Sequence, residues 1–213
     1  MNNFFDRIYV ITCEDSKNRQ PYIRQHFKNF NITFEFKSAI DKSLLTEGII
    51  NPAQKSLILA HKHCILDSKL NNYDRILICE DDIHFIENLH QCFTDFIKIL
   101  PNDWNFIQLG NQSIATTWLR RKYISENLYD FEWGTGSHCV GINSNVFDNI
   151  IETFEKMNEP VDFMYYNLFS KNNCYCPKNF LADALSKADV LSKNLHLQGD
   201  STKPIFQSTI FYL

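Results

Sequence analysis

An α/β fold with a mostly parallel sheet flanked by helices is predicted by three features of this 213-residue chain. Short apolar runs alternate with stretches of helical periodicity. One run, Ile76-Leu77-Ile78-Cys79, is free of charge, as in a central strand covered on both faces. That run breaks abruptly into the acids Glu80-Asp81-Asp82.

The elements follow in order. Ile8 to Ile11 is a short strand that closes in the polar turn Thr12 to Ser16. Pro21 suits the first turn of a helix, and Ile23, Phe27 and Phe30 recur at helical spacing. Ile32 to Phe36 alternates as a half-buried strand and stops at Ala39-Ile40-Asp41. Asn51-Pro52-Ala53-Gln54 is a helix start with a capping Asn, Pro at the first position and Gln at the third. Leu57, Ala60, His61 and Cys64 share one face of that helix.

After the acidic triplet, Phe85, Leu89, Phe93, Phe96 and Leu100 keep helical spacing up to Pro101. Trp104 to Leu109 is a further strand, closed by Gly110-Asn111. Residues 112–133 have no clear period and are expected to form a long functional loop with short elements. A strand over His138–Ile142 and a helix with Val146, Phe147, Ile150, Ile151, Phe154 and Met157 on one side come next. No repeat, linker or domain boundary is visible. One domain is expected over residues 1–213, with a ligand-binding half (1–110) and a second half (111–213).

Composition narrows the function. The net charge is −4, and the densest basic cluster is Arg120-Arg121-Lys122. That is too little positive charge for a nucleic-acid surface, so the triplet is expected to be a solvated face. Met1 to Phe4 leads straight into a strand, so neither an export segment nor a span is expected. Any membrane contact would be peripheral. The seven cysteines are expected to be free cytoplasmic thiols, and the Cys174-x-Cys176 pair has no second pair to complete a zinc site.

The acids carry the sharpest signal. In open α/β sheets ligands sit beyond the carboxyl ends of the strands. Side chains alternate, so Glu80 and Asp82 are expected on one side and Asp81 on the other. Three adjacent negative charges repel, a cost relieved by solvent, basic partners or a cation. Oxygen-only ligands favour Mg²⁺ or Mn²⁺, which also bind phosphate oxygens. The plainer alternative, acids capping the next helix, explains one of the three well.

At these residues the chain resembles glycosyltransferase family 25, the lipooligosaccharide and collagen sugar transferases, which has giant-virus relatives. The blocks match in order: Ile8-Tyr9-Val10-Ile11 through Arg19, Phe34-Glu35-Phe36 with Ala39-Ile40-Asp41, Leu59-Ala60-His61, Ile78-Cys79-Glu80-Asp81-Asp82-Ile83, Asp103-Trp104-Asn105 to Leu109-Gly110, Gly136-Ser137-His138 and Pro160-Val161-Asp162. Ala60 stands for a serine, Ser137 for a threonine and Val140 for a tyrosine, and the match fades after Asp162.

The resemblance implies a GT-A-like, Rossmann-type fold, a UDP-sugar donor, a divalent cation (Mn²⁺ or Mg²⁺) held through Glu80 and Asp82, and inversion at the anomeric carbon. The acceptor would be a hydroxyl of a glycan or a protein-linked group. Asp82 is the expected main metal ligand, with Glu80 and Asp81 as metal, water or ribose contacts. Asp162 is the expected base for the acceptor hydroxyl, with Asp130 and Glu132 as rivals. Arg19 can pair a diphosphate, Asp41 a ribose or base, and His138 the donor. His61 fits a core histidine better than a ligand, and His196 is a candidate third metal ligand. Two other readings share the acids: a metal-dependent phosphohydrolase or nucleotidyl transferase, and a non-catalytic nucleotide-sugar-binding relative.

Overall fold

The computed structural model describes residues 1–111, 119–134 and 136–185. The first strand, β1 (Arg7–Thr12), pairs in parallel with β2 (Glu35–Ser38) and β3 (Arg75–Glu80). Four more strands complete the middle and far side of the sheet: β5 (Phe106–Gln108), β7 (Leu128–Trp133), β8 (Cys139–Asn143) and β9 (Cys174–Pro177), with β6 (Arg120–Ser125) at the edge. The order is β2-β1-β3-β8-β5-β9-β7-β6. Only β7 and β8 run against the others, so the sheet is mixed and mostly parallel, as expected. The two halves of the chain interleave, since β8 lies between β3 and β5.

Helices cover both faces. Ile76 and Ile78 of β3 point to the side of α2 (Pro52–Leu70), α4 (Phe147–Glu155) and α5 (Val161–Phe169). Leu77 and Cys79 point to the side of α1 (Gln20–Asn29) and α3 (Leu89–Ile99). All four are fully buried. Each Ile or Leu there contributes about 1.5–3 kcal/mol by leaving water, which explains why this run carries no charge.

The start of α2 matches the sequence in detail. Asn51 Oδ1 accepts from Gln54 N–H at 2.9 Å, and Gln54 Oε1 accepts from Asn51 N–H at 3.2 Å. His61 is a core residue: its Nδ1 lies 3.0 Å from the Tyr165 hydroxyl, and burial depresses its pKa to about 3. All seven cysteines are free, and Cys174 and Cys176 are buried on β9.

Three elements differ from expectation. Phe85 does not begin a helix; it ends β4 (Ile83–Phe85), which pairs with β10 (Ala182–Ala184). A strand partner about a hundred residues away outweighed the local helical period. The supposed long loop before Trp133 contains the β6–β7 hairpin, whose edge strand carries Arg120, Arg121 and Lys122. There Arg121 stacks over Tyr129 at 4.6 Å and Phe180 at 5.6 Å, so its stem packs while charge stays at the rim. Lastly β2 begins only at Glu35, because Ile32 is drawn back under α1, where its N–H donates to Phe27 O.

Candidate active site

The carboxyl ends of β1, β3 and β5 meet the start of β8 at one edge of the sheet. Glu80 pairs across from Ile11, and its N–H donates to His138 O at 3.1 Å. Strand alternation carries Glu80 to the α5 side, where Ser137 Oγ donates to Oε1 at 2.7 Å. The strand ends there, so the expected pairing of Glu80 and Asp82 on one face does not extend past it. Asp81 turns into the protein on the α1 side. It accepts a short hydrogen bond from Ser16 Oγ and another from Arg19 Nη1 at 2.7 Å. Asp82 lies in the following turn, with Oδ2 3.8 Å from Arg19.

The three acids are therefore unequal. Asp81 is buried and fully partnered. Burial, then repulsion from Asp82 and Asp162, raises the Glu80 pKa well above the carboxylate range, against the Ser137 hydrogen bond. Burial likewise raises Asp82 to about 6; Arg19 opposes this, while Asp81 and Asp183 add to it. Asp82 Oδ1 is buried with no hydrogen-bond partner. Burial and mutual repulsion thus penalise the charged forms of Glu80 and Asp82, and Ser137 and Arg19 offset this only in part, with Asp82 24% exposed. A hard divalent cation fits such oxygens. Among the described residues no three His, Cys, Asp or Glu side chains form a complete metal cage. Mg²⁺-type sites commonly need none, because waters and substrate phosphates fill the remaining positions.

Asp162 joins this group from the first turn of α5, where its Oδ2 accepts from Gly136 N–H at 3.2 Å. His138 is buried beside it; burial lowers its pKa, against Asp183, Asp162 and a hydrogen bond with the Ala182 backbone, which raise it. Its Nε2 has no partner and packs against Gly110, where an added Cβ would approach to 2.5 Å. Other unpartnered buried atoms ring the same edge: Thr12 Oγ1, Gln108 Oε1 and Asn111 Oδ1. The Gln108 amide is fixed, since Nε2 donates to Gly110 O at 2.6 Å and Gly136 O at 2.7 Å. Buried polar groups without partners cost about 1–3 kcal/mol each, and several of those among the described residues lie at this edge.

Arg19, Glu80, Asp81, Asp82, His138 and Asp162 are therefore brought together. Asp41 is exposed and caps the short 3₁₀ turn Lys42–Leu44 by accepting from Ser43 N–H. His196 lies outside the described residues. Asp130 and Glu132 sit on β7 and line a separate cavity of about 1050 Å³ that includes none of these carboxylates. Sequence reasoning missed Ser16 and Asp183. The latter reaches the site because β10 pairs with β4, and nothing local announces that pairing.

The fold has known counterparts. The chain matches no protein-family model and no curated protein, so the family 25 resemblance rests on its sequence blocks. Among solved structures it is similar to a glycosyltransferase involved in the glycosylation of the major capsid of PBCV-1. The TM-score is 0.53 at 9% identity, over 90% of this chain and 98% of that one. It is also similar to a Bacillus anthracis protein assigned as a glucose-1-phosphate thymidylyltransferase, in complex with a sucrose. That likeness has a TM-score of 0.50 at 11% identity, over 92% of this chain and 78% of the other. At identities this low the structural likeness shows the shared GT-A-like α/β fold alone.

Proposed function

We propose that this protein is an inverting glycosyltransferase that moves a sugar, a hexose in the simplest case, from a UDP-sugar to a hydroxyl of a glycan or protein-linked acceptor. The carrying observation is the pair Glu80 and Asp82 at the strand edge, whose charges Ser137 and Arg19 offset only in part, with Asp82 Oδ1 unpartnered beside an Asp81 paired to Arg19.

Asp82 and Glu80 would hold Mn²⁺ or Mg²⁺, which as a Lewis acid neutralises the departing diphosphate. Arg19 keeps Asp81 satisfied and adds positive charge to the same rim. Ser137 fixes one oxygen of Glu80, leaving the other for a ligand. Asp162 is the base: Gly136 N–H orients its carboxylate, which takes the proton of the acceptor hydroxyl as that oxygen attacks the anomeric carbon. His138, whose pKa burial lowers, suits a hydrogen bond to a sugar hydroxyl better than a salt link.

The test is incubation with UDP-hexoses, Mn²⁺ and a panel of glycan acceptors. Release of UDP with a sugar-bearing product is expected, and Asp162→Asn is expected to slow transfer by about 10²–10⁴-fold. Orthophosphate or pyrophosphate in place of UDP would overturn the reading in favour of hydrolysis or nucleotidyl transfer.

A further inference from the structure

The cavity of about 1050 Å³ lies between β7 and the C-terminal end of α5, apart from the carboxylate edge. Its volume is at the upper end of the ~300–1,000 Å³ range of small-molecule sites. Its lining is neither greasy nor of one sign. The half-buried indole of Trp133 shares it with the carboxylates Asp130 and Glu132, the cations Arg120 and Lys171, and the Asn172 amide. Two positive and two negative side chains balance, which disfavours a polyanion or a polycation. A hydrophobic peptide would strand these polar groups. A flat aromatic ring among fixed hydrogen-bonding groups suits a polyhydroxylated ring, whose C–H face covers the indole while its hydroxyls bond around the rim.

The lining is held in place. Asn172 Nδ2 donates to Leu168 O at 2.8 Å, and Trp133 packs on Tyr166 with ring centroids 5.4 Å apart. The same contacts connect the cavity to the proposed base. Tyr166 is one helical turn beyond Asp162, and Phe169, in the cavity wall, is seven residues beyond it. At 1.5 Å per residue that is about 10 Å along α5, a distance a short oligosaccharide can bridge. Trp133 is also three residues from Gly136, which holds Asp162.

We propose that this cavity is an acceptor subsite that binds the sugar units next to the one being modified, so the acceptor is an oligosaccharide rather than a free monosaccharide or a bare protein hydroxyl. The inference rests on the glycosyltransferase reading and names the substrate class of that reaction.

Saturation-transfer NMR with lactose, maltotriose, chitotriose and mannotriose tests it on the full chain. At least one is expected to receive saturation. The signal is expected to vanish in Trp133→Ala and to weaken by roughly tenfold in affinity in Glu132→Gln, a milder change at an exposed position that guards against misfolding. No transfer to any of the four, or transfer unchanged in both variants, overturns the proposal. A parallel thermal-shift measurement with UDP and Mn²⁺ separates the two claims. A UDP shift without oligosaccharide contact removes the subsite and spares the transferase reading. Trp133-dependent oligosaccharide binding without a UDP shift keeps the subsite and removes the donor assignment.

Discussion

Arg19 donates to Asp81 at 2.7 Å and stops 3.8 Å from Asp82, so one guanidinium pairs closely with one of two neighbouring acids and only loosely with the other. Arg19 and Asp81 are 11% and 8% exposed. Removing one partner of a buried pair leaves the other charge stranded, at a cost of about 3–5 kcal/mol. Arg19→Ala is therefore expected to lower stability by about 3 kcal/mol in urea denaturation. A loss under 1 kcal/mol would show that the pair is solvated.

Asp82 should behave in the opposite way. Its pKa rises from 3.8 to about 6, so the folded protein holds the proton more tightly than the unfolded chain. The penalty is absent below about pH 3.8, grows between there and 6, and is complete above. Asp82→Asn is expected to stabilise the metal-free protein at pH 7.5 by about 1–3 kcal/mol while removing divalent-cation binding. A destabilised Asp82→Asn protein at that pH would contradict the picture of a charge compensated only in part.

His61 gives a stability change with acid rather than with base. The unfolded chain protonates it near 6.5, whereas the folded state keeps it neutral to about 3. Between those values the unfolded state binds more protons, so stability falls as pH drops, by up to ~1.4 kcal/mol per unit. His61→Gln is expected to flatten the profile between pH 6 and 4 relative to wild type. Parallel profiles would show that the imidazole is hydrated.

Gly110 matters for space. A Cβ there would meet His138 Nε2 at 2.5 Å, and the ring is buried. Gly110→Ala is expected to cost about 1–3 kcal/mol by overpacking, and less in a His138→Ala background, where the Cys139 Cβ contact at 3.1 Å remains. Equal costs in both backgrounds, measured as a double-mutant cycle, would separate the two residues.

Much of this arrangement could be read from the chain because its causes are local. The Asn51–Gln54 capping box, the uncharged Ile76–Cys79 strand and the break into Glu80 are consequences of neighbouring residues. What escaped depends on distant partners. Ile83-His84-Phe85 is a strand only because Ala182-Asp183-Ala184 lies beside it. The β6 edge, half charged, has no apolar alternation to betray it. Within the site, Glu80 and Asp82 were visible as carboxylates, but the selective neutralisation of Asp81 by Ser16 and Arg19 required the fold. Asp41 shows the converse: a turn acid after a strand looks the same whether it binds a ligand or caps three residues.

Calorimetric titration of Mn²⁺ with UDP into wild type and Asp82→Ala tests whether Asp82 links cation and nucleotide binding. Wild type is expected to bind the ion and the nucleotide together, each tightening the other, and Asp82→Ala is expected to lose this coupling while remaining folded. Undiminished coupling in Asp82→Ala, or tight UDP binding indifferent to Mn²⁺, would contradict that link.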